Sequence, residues 1–389
     1  MYLIRYVGTQ LKTAQHALSY LPLFWRAADL GLRACLVCAR PPVDERWLDP
    51  LADVGTKIVY LPRPKRNFDA GCALRSYRLC RELNARVFHC DNMHTSPLIG
   101  AALAGVPVRI WSKRSMQPCF EQGRRPTLRD RLAVSVRVSC GLSTRVLAVS
   151  SAVRDELASM GMNPAKLRVQ RNAVNFADTR ATERGAARRA LGLADDDLVF
   201  TAVGRSVHVK GWDLLLEAFA PVARAHPKAR LLLVGDTTGE VEREHFEDLE
   251  LQMAELGILS RVRLPGYLTD LSDVWGATDV FVMPSRSEGD SNALLQALAT
   301  TQACIATQVG SAGDLIRNEE NGLLVPREDA ATLGAAMLRL AGDAALCERL
   351  RRANIGRKHA PTIEEYADQV IEVYQQLLGP RRLDRIAPA

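Results

Sequence analysis

The feature that most constrains this chain is a repeated beat of short apolar run, polar loop and amphipathic stretch. Tyr2–Val7, Leu32–Ala39, Lys57–Leu61, Arg86–Cys90, Val108–Ser112 and Val146–Val149 read as strands. Thr13–Gly31, Gly71–Leu83 and Ser96–Ala104 read as helices between them. Strands alternating with helices at this spacing predict a parallel sheet with helices on both faces. The beat restarts after a polar stretch, Asn175–Ala187, expected to be weakly structured. Beyond it Leu198–Gly204, Arg230–Val234, Val262–Leu264, Val280–Met283, Ala303–Thr307 and Leu323–Val325 read as strands. Trp212–Ala225, His245–Leu256 and Asp329–Leu340 read as helices. Last comes an amphipathic helix, Thr362–Leu378, whose stripe of Ile363, Tyr366, Val370, Ile371 and Tyr374 needs a surface to cover. The expectation is an α/β chain of two Rossmann-like domains facing across a cleft. Ligands of such sheets bind at the carboxyl ends of the strands, beside helix N-termini.

Composition removes several classes. Hydrophobic residues make up 47% and charged residues 24%, as in an ordinary globular chain. No apolar run reaches the ~20 residues that cross a bilayer, and the start of the chain lacks a signal-peptide pattern. The expected location is the cytosol, with peripheral attachment at the inner face of the membrane as an extension of that reading. Nine cysteines, an odd number scattered among apolar residues, argue against a disulfide framework. Cys35 and Cys38 read as small buried strand residues rather than a redox pair. Up to Arg171 the chain has 27 Lys and Arg against 12 Asp and Glu, a surplus of 15; the remainder has 24 against 32. A basic first half suits an anionic partner, such as an anionic membrane surface or a lipid-linked phosphate, or else is simply a solvated surface. No helix-turn-helix, zinc-finger or ribonucleoprotein pattern occurs, so nucleic acid is not an expected partner.

Two segments carry candidate chemistry. In Val203-Gly204-Arg205-Ser206-Val207-His208-Val209-Lys210-Gly211 a strand ends, two cations follow, and a helix starts. Arg205 offers a planar fork to a phosphate and Lys210 a movable charge. Gly204 permits close backbone approach. His208 is either a further phosphate contact or a solvated loop residue. In Pro284-Ser285-Arg286-Ser287-Glu288-Gly289-Asp290-Ser291-Asn292-Ala293-Leu294-Leu295-Gln296, Glu288 sits in a turn and Asp290 or Ser291 is placed to cap a helix. Glu288 suits sugar hydroxyls, and Gln296, two turns in, suits ribose hydroxyls. Read alone, the first segment is equally a loop with exposed cations and the second a capped, half-buried helix.

Together the two segments resemble the retaining glycosyltransferases of family GT4, which have the GT-B fold. The resemblance covers roughly Val146 to Tyr374 and includes Val149-Ser150-Ser151, Asn172, Pro265-Gly266-Tyr267 and Asn321-Gly322-Leu323-Leu324-Val325-Pro326. It implies that Arg205 and Lys210 stabilise a departing nucleoside diphosphate and that Glu288 holds the donor sugar. Gly204, Gly289, Asp290, Ser291, Asn292, Ala293, Leu294 and Gln296 would line the donor, and Leu264, Gly266 and Tyr267 the base. It also implies residues 1–175 as an acceptor-side domain, 176–361 as a nucleotide-sugar domain, and 362–379 as a helix crossing back to the first. The partners implied are a nucleotide sugar, UDP-linked by default, and a glycan or lipid-linked glycan acceptor for a cell-surface polysaccharide or lipopolysaccharide. No cofactor and no metal are expected.

Three departures stand out. Gln296 replaces the second Glu of the family motif. Lys12-Thr13-Ala14-Gln15 replaces a Gly-Gly-Ala-Glu loop. Lys113 and Arg114 lie where many relatives have a histidine. His89, Asp91 and His94, after a strand end, are acceptor-side candidates alongside Lys113 and Arg114. Asp195-Asp196-Asp197 reads as a solvated connector, and Arg124-Arg125 with Arg129–Arg131, leading into a helix Leu132–Val138, as a core helix or a membrane-resting one. A sugar-nucleotide epimerase or hydrolase of the same fold, or a non-catalytic sugar-nucleotide binder, are the alternative readings.

Overall fold

Runs such as Ala34–Val37 and Val280–Met283 are apolar without alternation, which suits strands covered on both faces. The computed structural model describes residues 1–11, 18–91, 94–116, 133–174 and 179–379, and in it every strand pairing is parallel. The first sheet contains β1 (Tyr2–Tyr6), β2 (Arg33–Cys38), β3 (Lys57–Tyr60), β4 (Ala85–Cys90), β5 (Val108–Lys113), β6 (Arg145–Ala148) and β7 (Leu167–Val169). Its order is β3-β2-β1-β4-β5-β6-β7. The second contains β8 (Leu198–Val203), β9 (Ala229–Val234), β10 (Val262–Gly266), β11 (Val280–Met283), β12 (Ala303–Thr307) and β13 (Leu323–Val325), in the order β10-β9-β8-β11-β12-β13. The order reverses between β1 and β4, and between β8 and β11. Loops diverge at such points and leave a crevice beyond the strand ends.

The chain divides into two units, one built on each sheet. In the second, Phe200, Trp212, Leu215 and Phe219 pack over β8, β9 and β11. In the first, the helix Ile363–Leu378 buries Ala367, Val370 and Tyr374 against Leu23, Phe24 and Ala27 of the helix Leu21–Asp29. Each such large apolar side chain contributes roughly 1.5–3 kcal/mol. The returning helix starts on a capping box: Glu365 N donates to Thr362 Oγ1 (3.1 Å) and Thr362 N to Glu365 Oε2 (3.0 Å).

Several expectations need correction. The stretch read as weakly structured, Asn175–Ala187, ends inside the helix Arg184–Ala190, which Glu183 caps through the N–H groups of Gly185 and Ala186. Asp197 is not a solvated connector. It is buried, accepts from Ala194 N (2.9 Å) and pairs with Arg230 (3.2 Å), while the fully buried Arg188 donates to the carbonyls of Ala194, Asp195 and Asp197. The helix expected from His245 begins at Glu240. β10 runs on through Pro265, which an edge strand tolerates because its outer N–H positions need no partner. β7 and the helix Ala344–Arg352 went unread. The helix expected from Thr13 is seen from Leu21, with Pro22 in its first turn; residues 12–17 lie outside the described residues. The helix expected from Leu132 spans Val134–Leu142, and Arg124, Arg125 and Arg129–Arg131 lie outside the described residues. Cys35 and Cys38 are buried in β2, and burial pushes both thiols up to about 12. Among the described residues no single helix is long and apolar enough to cross a membrane.

Candidate functional site

The second sheet's reversal point gathers both candidate segments. After β8 the chain passes Gly204 and Arg205, makes a tight turn at His208–Lys210, and enters the helix Trp212–Ala225 through Gly211. Gly211 has φ +66°, and a Cβ there would lie 2.2 Å from the Pro284 carbonyl oxygen, so only glycine fits. The Lys210 stem lies over Gly204, where a Cβ would meet Lys210 Cδ at 3.3 Å. Lys210 Nζ then donates to Glu288 Oε1 at 2.6 Å.

Glu288 is held from three sides. Ser285 Oγ donates to the same Oε1 (2.7 Å), and the Ser285 carbonyl accepts from Thr307 Oγ1 (2.6 Å) at the end of β12. Gly310, at φ +52°, passes beneath the loop, and a Cβ there would meet the carbonyl oxygens of Glu288 and Gly289 at 2.6 and 2.7 Å. Glu288 Oε2 makes no hydrogen bond among the described residues. One carboxylate oxygen is clamped and the other is left to accept. Ser291 caps the helix Asn292–Ala299 through Leu294 N (3.3 Å), so the helix starts at the same loop.

Each cation here has an acidic neighbour. Arg205 is exposed and donates through Nη1 to Glu242 Oε1 (3.1 Å) on the helix Glu240–Glu255. Arg286 forks onto Asp213. Burial works against ionisation of Asp213, yet the Arg286 guanidinium holds its carboxyl below the usual range. His208 is exposed, with its ring near that of His245.

The remaining donor-side candidates fall into three groups. Gly204, Gly235 and Gly266, at the ends of β8, β9 and β10, pack backbone on backbone. Gly235 N donates to Gly266 O (3.0 Å), and a Cβ at Gly235 would lie 1.5 Å from Gly204 O. Leu264 and Tyr267 are exposed beside them, Tyr267 at 62%. Gly289, Asp290 and Ser291 are buried in the loop, Asn292 is exposed and Ala293 half-buried. The Leu294 side chain is fully buried in the core and does not face the loop. Gln296 is half-buried in the second turn, and its side chain makes no hydrogen bond among the described residues. Asn321 serves structure, accepting from Arg317 N (2.8 Å) and donating to Leu315 O (3.1 Å).

The first sheet's reversal point is filled differently. His89 and Asp91 do not line an open site as expected. His89 is fully buried, and Asp91 is sealed by Arg5. Arg5 Nε and Nη2 donate to the Asp91 carboxylate at 2.5 and 2.8 Å, and Nη1 donates to His89 Nδ1 at 2.6 Å. Because a guanidinium only donates, Nδ1 accepts and the neutral ring carries its proton on Nε2, donating to Ser112 Oγ (2.7 Å). Tyr374 Oη of the returning helix lies 2.7 Å from the same Nδ1, and Arg5 reaches Tyr366 (3.2 Å). Burial, then the Arg5 charge, holds the His89 pKa well below its ordinary value. Burial opposes ionisation of Asp91, but Arg5 and Arg114 pull its carboxyl down to about 2. Lys113 is buried at the end of β5, whereas Arg114 is part-exposed, donating to Asn172 Oδ1 (3.2 Å) and lying 4.0 Å from Asp91. His94 contacts Asn67 Oδ1 at 3.2 Å. The Lys12–Gln15 departure lies outside the described residues.

Sequence reasoning passed over Arg5, Ser285, Asp213, Arg286 and Gly310. Arg5 had a signal, being a charge inside the apolar strand Tyr2–Tyr6. The others stand beside ordinary loop residues, and only the fold brings them onto Glu288 and Lys210.

Known proteins resemble both halves of the chain. The model for "Glycosyl transferases group 1" matches residues 197–343 and that for "Glycosyltransferase Family 4" residues 23–178. A D-inositol 3-phosphate glycosyltransferase of Geodermatophilus obscurus is 30% identical over 320 residues, covering 78% of this chain and 70% of the relative. The chain belongs to glycosyltransferase family 4. A further D-inositol 3-phosphate glycosyltransferase, from Rhodococcus opacus, is 32% identical over 240 residues, 60% of this chain, and there the match spans about half of the relative, 53% of its length. Among solved structures, Anabaena Alr3699/HepE in complex with UDP superposes with a TM-score of 0.76 at 17% identity, covering 96% of this chain and 99% of that one. At that identity the likeness speaks for the fold, two Rossmann-like units of the GT-B class.

Proposed function

We propose that this family 4 member transfers a glycosyl group from a nucleoside-diphosphate sugar, UDP-linked, to a hydroxyl acceptor, with retention at the anomeric carbon. The observation that carries the reading is the Lys210–Glu288 pair, fixed by Ser285 over Gly310 at the reversal point of the second sheet. A glycosyltransferase relative and a neighbour whose structure contains UDP support it.

In this reading the diphosphate lies across the start of the helix Trp212–Ala225. Arg205 and Lys210 take up the charge that grows on the leaving diphosphate. Fixed cations and helix N–H groups do this without reorganising, which is why they stabilise a transition state more than a ground state. Glu288 Oε2 accepts from a donor-sugar hydroxyl while Oε1 stays on Lys210 and Ser285. Gly204, Gly266, Tyr267 and the exposed Leu264 line the nucleotide, Gln296 meets the ribose, and the backbone of Gly289–Ser291 approaches the sugar. The departing phosphate accepts the proton of the acceptor hydroxyl on the same face. The first unit supplies the acceptor side, with Arg114, Lys113 and His94 nearest to hand. We place the chain at the inner face of a membrane, working on a lipid-linked glycan for a cell-surface polysaccharide, with its basic first half toward anionic headgroups.

The test is nucleotide release from a panel of nucleotide sugars, with and without membrane extract. Release that depends on the extract supports transfer. Tight binding of a donor with no turnover of any would leave a binder and overturn the reading.

A further inference from the structure

The two donor-side loops come from different strand–helix units, β8 with Trp212–Ala225 and β11 with Asn292–Ala299. Strand pairing fixes where each loop starts, but Lys210 and Glu288 lie beyond the last paired residues, Val280 with Phe200 and Phe281 with Thr201. Something past the sheet has to set their spacing. The buried Arg286, two residues before Glu288, bridges that gap. Its Nη1 and Nη2 donate to Asp213 Oδ1 and Oδ2 at 2.7 and 2.6 Å, in the first turn of the helix Trp212–Ala225. Nη1 also donates to the His208 carbonyl at 2.8 Å, and Arg286 N donates to the Val209 carbonyl at 2.8 Å. The stem of the loop is locked beside it, where Pro284 O presses on Gly211.

We propose that Arg286 is a positioning residue that fastens the loop bearing Arg205 and Lys210 to the loop bearing Glu288, and so sets the Lys210–Glu288 geometry that the reaction uses. The proposal rests on the donor-site reading above. Arg286 has a second effect through the same bonds. Asp213 stands in the first turn of the helix whose N–H groups the diphosphate would use, and an unpaired carboxylate there would repel it. The fork ties that charge off. A lysine cannot reproduce both the fork and the carbonyl bond, because an ammonium is a point charge without the planar pair of donors.

Arg286→Met and Arg286→Lys, with Arg286→Met/Asp213→Asn as a charge control, test this in the full chain by nucleotide release, UDP calorimetry and amide exchange. A misplacement of about 1 Å costs about 100-fold in rate, so Arg286→Met should lose about that factor in kcat, with a smaller change in KM. Arg286→Lys should recover part of it. The double variant should regain UDP affinity but not kcat, an outcome that a purely electrostatic role would not give. Amide exchange in residues 204–213 should speed up in Arg286→Met while β8, β9 and β11 keep their protection. Turnover within about twofold of wild type, or restored in full by Asp213→Asn, overturns the proposal. If the wild-type protein releases no nucleotide from any donor, the transferase reading fails on its own. Exchange then decides the inference: unchanged protection at 204–213 in Arg286→Met refutes the fastening.

Discussion

Asp91→Asn is the sharpest test of how the first unit is held. Asp91 and Arg5 have side-chain exposures of 4% and 1%, and two guanidinium nitrogens reach the carboxylate. Removing one partner of so buried a pair strands the other charge, at a cost of about 3–5 kcal/mol. The same pairing shows in the acidity of the carboxyl. The Asp91 carboxyl is held at about 2 against an ordinary 3.8. That difference corresponds to ~2.5 kcal/mol, the same order. The sign follows from the depressed pKa: this stabilisation is present in full above about pH 4 and is lost as the pH falls toward 2. Urea denaturation at pH 7 and pH 3, followed by amide exchange so that the units are read separately, should show Asp91→Asn weakening the first unit and leaving the second unchanged. The double variant Arg5→Met/Asp91→Leu should return much of the loss, because no unpaired charge remains. A loss below about 1 kcal/mol in Asp91→Asn, as for an exposed pair, would refute the account.

Other outcomes follow from the same geometry. His89 is held neutral well below its ordinary pKa, so the first unit should lose stability below about pH 6.5, by up to ~1.4 kcal/mol per pH unit; His89→Gln should flatten that slope in denaturation measured from pH 8 to 5. Gly310→Ala places a Cβ 2.6 Å from Glu288 O at a positive φ; it should cost at least ~1 kcal/mol in stability and lower turnover, and a melting curve and rate like wild type would count against the support given to Glu288. Arg205→Ala and Lys210→Ala should each cost about 2–4 kcal/mol in the transition state. In kcat/KM, near-normal values for both variants would remove them from the site.

The fold was largely legible because its signals are local. Unalternating apolar runs such as Val280–Met283 mark buried parallel strands, and Gly211 before Trp212 marks a helix entry. What stayed hidden depends on partners far apart in sequence. Asp197 looked solvated because nothing near it announces that Arg188 is buried beneath its turn. His89 looked like an open acceptor-side group because its partners, Arg5 and Tyr374, lie 84 and 285 residues away. The two candidate loops could be picked out from their spacing, but not the direction of the Leu294 side chain, which a three-residue offset from the cap turns into the core. Ser285 and Gly310 carry no pattern of their own, and they matter only because β12 delivers Thr307 and Gly310 to the loop after β11.

The returning helix also dictates an order of events on the ribosome. The first unit lacks Ile363–Leu378 until residues 174 to 360 have been made, a stretch of 187 residues. At roughly 5–20 residues per second, the hollow that takes Val370 and Tyr374 stands open for on the order of 10–40 seconds. Over that time Leu23 and Phe24 lack their cover, and Arg5 and His89 lack the tyrosines that close their network. Residues 174–360, the uninterrupted stretch that makes up most of the second unit, can fold in that interval. The nascent first unit is therefore the part of this protein that should need a chaperone.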